Sequence, residues 1–462
     1  MSSYSTAARR QCARLRRMAV AAGALALLPL VGQASEPEIE RIAEALVAEA
    51  LASNLGLRAA EAGVIERRAA LDAARARFRP ALDLQLRFTR ADGGREIELP
   101  LGPAQSATFR FQRSREQDSA LRLTQSLYDA RLPAARQAAA FGHDEARHGL
   151  QAFARELGRD VSQAWYRFLT AGEAIAILRA TRELAAENRR VNASLYDNGK
   201  VTRDLVLRAE AELLEVEQRL LQAEATATLA RQYVNLLCNA PLDRPLEAAT
   251  IDTAELQQLA ARAHPPGGAA GPAMFEEAAL ARRAELRQLD AGLAAAAAEE
   301  RLARAAFQPQ LALVLDAGTQ GPDWGYREHD PYLFASLVLR FNLLSGGADR
   351  AALAAARARR AGLGASRELA GQQVRIEVHE AWSALAVAEA SLQTAERRVA
   401  AAAAAWEIVA RKRNLGQAPP AETLDAQRAL TEARLNANVT RFAVLDALAG
   451  LNYAIGGTEV SR

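Results

Sequence analysis

Few stretches of this chain carry residue types whose spacing could support catalysis or metal binding. The stretch "VHEAWS", from Val378 to Ser383, begins like the helix of a zinc protease, in which two histidines four residues apart bind the metal. Ser383 stands where the second histidine belongs. His143 and His148 are five residues apart, which is not the spacing that puts two ligands on one helical face. We therefore predict that the chain holds no metal ion.

The candidates for a phosphate-binding loop are equally incomplete. "NGKVT", from Asn198 to Thr202, lacks both the serine or threonine after the lysine and the upstream glycine of a phosphate loop. "LSGGADR", from Leu344 to Arg350, fits a turn between a strand and a helix better than a phosphate cradle. We predict that the protein is not an enzyme and has no cofactor.

Glu422 and Asp425 are the most suggestive pair of charged residues. Their i, i+3 spacing puts both carboxylates on one face of a predicted helix. The simplest interpretation is that acidic side chains favour the N-terminus of a helix, where the backbone dipole is positive. Any further role depends on the elements that position the pair.

The N-terminal segment, residues 1–34, differs from the rest of the chain. Five arginines precede an apolar stretch from Met18 to Val31, which ends in a small-x-small pattern at residues 32–34. This pattern predicts a secretory signal peptide, and it is too short for a spanning helix. The formal net charge is +3, so the loss of five arginines and no acid leaves −2 on the mature chain. The basic balance therefore gives no support to a nucleic-acid partner.

Cys12 leaves with the signal peptide, so Cys238 is the only cysteine of the mature chain. A single thiol cannot form an internal disulfide. We interpret Cys238 as a small packing residue, with pairing between chains as the alternative.

The mature chain is a tandem duplication. Similar turns followed by helix-like runs surround Gly199 and Gly416, at a sequence offset of 217. Upstream, "RARFRPAL" at Arg75 matches "RAAFQPQL" at an offset of 229. The two offsets differ by 12, so the first copy is longer by that amount between Pro80 and Val161.

Each copy contains a pair of predicted strands. Apolar and polar side chains alternate in "LDLQLRFTR" from Leu82, "SALRLTQSLYD" from Ser119, "LALVLDA" from Leu311 and "YLFASLVLRFN" from Tyr332. This period of two predicts strands with one apolar face, each roughly 9–11 residues long, which is the length of a tilted membrane strand. We expect the longer connecting loop in the first copy. Because a closed membrane barrel needs about eight strands, spanning strands must share a barrel between chains.

Long helices follow the strands. From Leu150 to Leu178, apolar or small residues recur in steps of three and four, a seam typical of coiled coils. We predict long helices over about 134–195 and 348–414, the first about 90 Å long. They carry charge throughout and must therefore lie in water beyond the strands. Gly199 and Gly416 end them, and the chain returns as shorter helices over about 201–238 and 419–455.

We divide the chain into a signal peptide (1–34), a first repeat (35–238), a linker or equatorial segment (239–275), a second repeat (276–457) and a C-terminal tail (458–462). Each repeat has a helix, two membrane strands and a long helical hairpin. The linker contains the clearest breaker cluster, "HPPGGAAGP". The predicted fold is mainly α with membrane β, a tandem-repeat protomer of coiled-coil helices plus four strands.

This organisation resembles the TolC-like outer-membrane efflux family, the exit ducts of multidrug efflux and type I secretion. The resemblance rests on the signal peptide, the duplicated helix–strand–strand–helix–helix unit, the two glycine turns, and "FRPAL" and "FQPQL" before the strands. It implies a homotrimer with a twelve-stranded β-barrel in the outer membrane, continuous with an α-helical barrel across the periplasm. It also implies a periplasmic adaptor (membrane fusion) protein, an inner-membrane transporter and outer-membrane lipid as partners.

The resemblance also implies site residues. In the family, acids six and nine positions after the second tip glycine constrict the periplasmic entrance, and those positions are Glu422 and Asp425 here. Three copies would form rings of like charge that attract cations. Gly199, Thr202 and Gly416 are expected where the family meets its adaptor. The chain departs from relatives with acids in both repeats, because the equivalent first-repeat residues are Leu205 and Arg208, with Asp204 one step away.

We predict an outer-membrane channel of a tripartite efflux or type I secretion system, opened by iris-like movement of the hairpin tips. The alternative is a soluble periplasmic coiled-coil adaptor or scaffold, and a periplasmic enzyme is a third interpretation. The alternating strands favour the channel, because an adaptor has no need of membrane-length strands in both halves. The sequence leaves open whether the cargo is a drug, a metal ion, a polysaccharide or a protein.

Overall fold

The structure, a computed structural model, describes residues 38–92, 96–102, 105–110, 114–250, 253–263, 271–322 and 330–457. The predicted signal peptide (1–34) and tail (458–462) lie outside these ranges, as do residues 251–252 and 264–270 of the predicted linker. The division into repeats of 35–238 and 276–457 stays a prediction.

Two similar series of elements follow each other along the chain. The first consists of α1 (Glu38–Ser53), α2 (Leu55–Ala76), β1 (Ala81–Arg90), β2 (Glu96–Gly102), β3 (Gln105–Arg110), β4 (Arg115–Asp129), α3 (Arg131–Asp197) and α4 (Arg203–Leu237). The second follows α5 (Thr253–Ala263) and consists of α6 (Pro272–Arg282), α7 (Ala284–Arg304), β5 (Gln310–Gly321), β6 (Pro331–Arg340), α8 (Ala348–Asn414) and α9 (Pro420–Ile455).

The four predicted strands form one antiparallel sheet in the order β1-β4-β5-β6. Its register pairs Leu82 with Leu123, Leu123 with Leu315, and Leu313 with Leu337. The apolar alternation of all four strands therefore falls on one face of the sheet. Among the described residues, the outer edges of β1 and β6 pair with no other strand.

The two faces of this sheet differ sharply in polarity. On the apolar face, Leu82, Leu84, Leu333 and Leu339 are 65%, 66%, 74% and 68% exposed. On the opposite face Arg122 donates to Asp316 through two nitrogens, at 2.7 and 3.2 Å, and Tyr332 donates to Asp118 at 2.9 Å. An exposed apolar face of this extent marks a surface that is covered by lipid or by a partner.

The first strand pair has the longer connection, as predicted. Residues 91–114 join β1 to β4, whereas residues 322–330 join β5 to β6. The additional length contains a second, two-stranded sheet, β2 with β3, which the sequence analysis did not predict. A short hairpin with a proline, Pro100, in one strand gives a weak alternation signal, which explains the omission.

The long helices have the predicted positions. α3 and α8 each have 67 residues, which corresponds to about 100 Å at 1.5 Å per residue. α3 packs against α4 and α9, and α9 packs against α8, so the helices are arranged in the order α4-α3-α9-α8 with α4 and α8 at the flanks. Within the described part of the chain, no helix is both long enough and apolar enough to cross a membrane.

The largest hydrophobic core lies where α1, the middle of α3, α5 and the ends of α4 and α9 meet. Trp165 is fully buried there, and its indole nitrogen donates to the carbonyl oxygen of Glu247 at 3.2 Å. Cys238 is also buried, consistent with a packing role, and its burial raises the pKa of the thiol. Leu256 and Leu259 of α5 lie in the same core, so part of the predicted linker is a packed helix.

A charged cluster beside this core joins α7, α8 and α9. Arg283 is 5% exposed and donates to Glu285 at 3.1 Å and to Glu377 at 2.6 Å, while Tyr453 donates to Glu285 at 3.0 Å. Burial favours the neutral form of Glu285, but the bonds from Arg283 and Tyr453 outweigh burial and lower its pKa. Burial and the charge of Glu285 raise the pKa of Tyr453 to about 12. Glu285 therefore remains an anion that holds these helices together.

Both long helices end in the same hydrogen-bonded closure. The Gly199 amide donates to the Tyr196 carbonyl and the Lys200 amide to the Leu195 carbonyl, both at 2.8 Å. The Gly416 and Gln417 amides repeat this pattern at the second tip, at 2.9 and 2.8 Å. The two glycines have φ of +66° and +70°, which is the left-handed conformation that a Schellman closure requires. In the structure, Gly199 lies between α3 and α4, and Gly416 lies between α8 and α9.

We predict that Gly199→Ala and Gly416→Ala each destabilise their own hairpin tip by about 1–2 kcal/mol, because a Cβ is unfavourable at positive φ. No atom lies within 4 Å of either added Cβ, so the cost is confined to the backbone. Hydrogen exchange should become faster over residues 195–201 or 412–418. Gly364→Ala is the control, because its Cβ also meets open space but its backbone is helical, and it should slow exchange. Equal effects at all three glycines would contradict this account.

A second prediction concerns Asp446, a half-buried carboxyl on α9. Burial raises its pKa above the ordinary value of 3.8, and Arg167 and Arg159 only partly oppose this effect. The ionised carboxylate therefore destabilises the fold at neutral pH, and this cost disappears as pH falls through the raised pKa towards 3.8. Asp446→Asn should raise the Tm at pH 7 and leave it nearly unchanged at acid pH, as measured by thermal unfolding in detergent. A Tm at pH 7 that falls would show that Asp446 is a stabilising anion.

Candidate functional site

The predicted constriction residues lie on the first two turns of α9, close to the second tip. Lys412, at the end of α8, lies 3.4 Å from Glu422 across the turn, and both side chains are partly exposed. Asp425 is exposed, and among the described residues no cation lies within ion-pair distance of it. The two acids are therefore not equivalent, because Glu422 has a local counter-charge and Asp425 has none.

The first tip carries a different charge arrangement. Thr202 is exposed at the start of α4, and its hydroxyl donates to the Asp204 carboxylate. Arg208 lies 3.8 Å from Asp204, one helical turn away. Asp204 is thus paired within its own helix, and the first-repeat position equivalent to Asp425 is the basic residue Arg208.

The two hairpins meet along a polar seam between α3 and α9. We use "α3–α9 seam" for the residues that bond across this contact, which come in pairs from the two helices. These pairs are Thr170 with Asn438, Glu173 with Arg441, Thr181 with Thr431, and Asn188 with Gln427. Asn188, Gln427 and Asn438 are among the buried polar residues of the chain.

The part of the seam nearest the tips is a three-residue network. The guanidinium of Arg413, which precedes Gly416 on the last turn of α8, donates to the side-chain oxygen of Asn188 at 2.7 Å. The amide nitrogen of Asn188 in turn donates to Gln427. This network ties the end of α8 and the start of α9 to α3, so it fixes the position of the second tip relative to the first hairpin.

An ion pair with one buried partner joins α9 to α4 at the same level. Arg428 donates to Glu212 of α4, whose side chain is 6% exposed, and lies 3.8 Å from Glu215. A buried carboxylate that loses its partner is costly. Arg428 therefore links α9 of the second hairpin to α4 of the first.

The seam is not completely satisfied. Gln427 Nε2, Asn438 Oδ1 and Arg441 Nε are buried without a hydrogen-bond partner in the described part of the chain. A partly satisfied polar contact holds two surfaces in register but stabilises them less than an apolar core of the same size. A small apolar cluster lies within the length of the seam. It consists of Leu178, Val216 and Leu220, with Ile175, Ala223 and Leu435 packed against them.

The α3–α9 seam was not predicted from the sequence, although α3 carries a signal for it. The predicted apolar seam of α3 ends at Leu178. The next inward positions are Thr181, Ala185, Asn188 and Asn192, all of which are buried. Polar residues at seam positions of a coiled coil are typical of contacts that set partner and register, and they could have identified the partner-facing side of α3.

The metal-like motif of the sequence forms an ordinary side-chain pair. His379 Nε2 lies 2.6 Å from Glu276 Oε1, and Arg375 lies 3.7 Å from the same carboxylate. In the described ranges, no group of three His, Cys, Asp or Glu residues could hold a metal ion. This cluster joins α6 to α8 at the surface of the bundle.

Several solved structures match this chain in fold. The CmeC outer membrane channel of Campylobacter jejuni is 15% identical with a TM-score of 0.77, over 91% of this chain and 87% of that one. The outer membrane protein VceC of Vibrio cholerae is 18% identical with a TM-score of 0.74, over 90% and 96%. The MtrE outer membrane channel of Neisseria gonorrhoeae, solved in its open state, is 20% identical with a TM-score of 0.74, over 90% and 89%.

No curated protein sequence matches the chain. The family described as outer membrane efflux protein matches residues 46–239 and 277–457, which include both hairpins and all four strands of the main sheet. That family comprises transport ducts and not enzymes. The match covers most of the chain, and the chain therefore belongs to the outer membrane efflux protein family.

Proposed function

We propose that the protein is the outer-membrane exit duct of a tripartite efflux or type I secretion system. The observation that carries the proposal is the joining of two features in one chain. One is a sheet of membrane-length strands with an exposed apolar face, and the other is a pair of long helical hairpins with glycine-closed tips. The hairpins extend into the periplasm, and the tips receive cargo from partners in the inner membrane.

The open sheet supports a homotrimer. Backbone N–H and C=O groups cannot stay unpaired in lipid, so the free edges of β1 and β6 need partners. Pairing β6 of one copy with β1 of the next satisfies both edges. Three copies give twelve strands, which is enough to close a barrel, whereas the four strands of one chain are not. The polar face with Arg122 and Asp316 then lines the lumen.

The second hairpin forms the narrowest part of the periplasmic entrance. Glu422 and Asp425 of three copies supply the acidic rings, in which Asp425 carries the larger share of the uncompensated charge because Lys412 lies beside Glu422. Such rings favour cations and disfavour anions. Gly199, Thr202 and Gly416 are exposed at the tips, where an adaptor from the periplasm would make contact.

Opening is an iris-like movement of the second hairpin away from the first. The α3–α9 seam would separate near the tips, where Arg413 and Asn188 hold the hairpins together. Separation near the tips exposes polar groups to water, which costs less than exposing an apolar core. An adaptor that binds the separated tips more tightly than the closed ones would shift the equilibrium.

The alternative of a soluble periplasmic scaffold is less well supported. A scaffold in water would expose the leucine face of the sheet, which continues over four strands. Such a face belongs against lipid or inside a folded domain, and no described element covers it.

We predict that the acidic ring sets the ion selectivity of the duct. Asp425→Asn should lower cation selectivity in planar-bilayer recordings of the purified mature protein, and Glu422→Gln should have a smaller effect because its charge is already offset by Lys412. Asp204→Asn is the control, because that acid is occupied by Thr202 and Arg208 at the first tip. Channels unaffected by either ring variant would move the constriction elsewhere, and a protein that is soluble without detergent and never inserts would favour the scaffold.

We also predict that Arg413→Ala opens the duct. The variant removes a charge-assisted hydrogen bond to Asn188, a bond of about 1.5–3 kcal/mol, so the open state should gain about tenfold or more in population. Arg190→Ala is the control, because Arg190 pairs only with Glu187 on the same exposed helical face. The readout is the frequency of large conductance steps. A gain in both variants, or in neither, would show that the seam does not hold the duct closed.

A further inference from the structure

A net positive charge is concentrated at one end of the main sheet. β1 and β5 begin at this end and β4 and β6 finish there, since Asp129 pairs with Gln310 and Gln310 with Arg340. Four helical or turn segments adjoin it, at residues 72–80, 129–136, 299–308 and 348–360. They contain eleven arginines, no lysine and five acids, a net charge of +6. The mature chain has −2, so the remainder carries −8. We call these four segments the basic collar.

Aromatic side chains lie where the basic collar adjoins the apolar face of the sheet. Phe78 and Phe307 occupy equivalent repeat positions just before β1 and β5, and they are 40% and 44% exposed. Tyr128 and Phe341 lie at the ends of β4 and β6, also exposed. Two of these side chains have defined contacts: Tyr128 donates to Gln308 at 3.0 Å, and Arg136 lies over the Phe78 ring at 5.8 Å. Exposed aromatic rings next to an apolar band are typical of the level of lipid headgroups.

The most buried carboxylate of the basic collar, Glu300, is already paired with arginines. Glu300 is bonded by Arg304, Arg357 and Arg360, at 2.9 to 3.3 Å, although its side chain is only 10% exposed. Three cations around one anion leave an excess of positive charge at this point. The equivalent position in the first repeat is Leu71, which is buried, so this cluster of three arginines around a glutamate is found in the second repeat alone.

Other arginines of the basic collar have no anionic partner. Arg77 and Arg79 are exposed on both sides of Phe78, and no carboxylate of the described residues lies within ion-pair distance of either. Two guanidinium groups therefore flank the ring of Phe78 in the sequence. A guanidinium binds a phosphate through paired N–H donors. An anionic lipid headgroup suits these arginines better than a zwitterionic one, because its phosphodiester has no neighbouring ammonium that offsets its charge and repels the guanidinium.

We propose that the basic collar binds the headgroups of anionic phospholipids in the leaflet of the outer membrane that faces the helices. The inference rests on the proposed function, which puts the apolar face in lipid and the helices in the periplasm. Phe78, Phe307 and Tyr128 fix the depth of the protein, and the arginines below them attract the phosphate groups. Three copies present a ring of eighteen net positive charges, three times the +6 of one chain.

The test compares lipids bound to the full-length mature protein. The protein is incubated in detergent with equal amounts of phosphatidylglycerol and phosphatidylcholine, and the lipids that remain bound after washing are quantified by mass spectrometry. We expect phosphatidylglycerol to be enriched several-fold, and Arg77→Gln/Arg79→Gln to lower that enrichment about tenfold. Arg397→Gln/Arg398→Gln is the matched control, because these two α8 arginines are also exposed and without an ion pair in the described part of the chain.

The salt dependence of lipid binding can be measured on the unaltered protein, so this test does not require any variant to fold. The enrichment on the unaltered protein should fall as ionic strength rises, because the contact is electrostatic and exposed. No enrichment, or an enrichment that both double variants lower equally, would overturn the proposal. Displacement of the lipid by an equal concentration of inorganic phosphate would identify a simple phosphate site and also overturn it.

Conductance separates this proposal from the proposed function. A protein that forms channels without preference for phosphatidylglycerol would overturn the lipid site and leave the duct intact. A protein that binds phosphatidylglycerol through Arg77 and Arg79 but never conducts would support the lipid site and count against the duct. Loss of the trimer in Arg77→Gln/Arg79→Gln with unchanged lipid enrichment would overturn the lipid site and assign these arginines to contacts between copies.

Discussion

The backbone hydrogen bonding of the four-stranded sheet is the constraint on which the rest of the molecule depends. The sheet has two edges without a strand partner among the described residues and a face of exposed leucines. In lipid an unpaired edge leaves polar groups that nothing can satisfy, and in water the apolar face is unfavourable. Both features are met together in the trimeric barrel proposed above. Membership of the outer membrane efflux protein family agrees with this requirement, because the edges of such a sheet are all hydrogen-bonded only within a closed barrel.

The stability of the two helical hairpins is distributed unevenly along their length. At the level of Trp165 they belong to a large apolar core, whereas towards the tips the contact between hairpins becomes polar and partly unsatisfied. Polar contacts fix register with a smaller gain in free energy than apolar packing. The end of the molecule with the glycine turns is consequently the part that can move at the lowest cost.

The two halves keep their backbone design but not their chemistry. The returning helices close in the same way, with Asn239 and Gly456 at equivalent repeat positions and both in the left-handed conformation. Side chains at equivalent positions differ, for example Leu71 in place of Glu300 and Leu205 in place of Glu422. Duplication therefore supplies a pseudo-symmetric frame, on which the two repeats carry different charges.

The sequence by itself determined the repeat, the four strands of the main sheet, the long helices and the tip glycines. These features depend on local periodicity and on the conformational freedom of glycine, which are properties of neighbouring residues. Only the tertiary structure decided that Asn188 contacts Gln427 and Arg413, that Lys412 lies beside Glu422, and that the ends of four strands collect eleven arginines at one end of the sheet. Each of these depends on which helices and strands become neighbours, and residues as far apart in the chain as Asn188 and Arg413 carry no local signal of their contact.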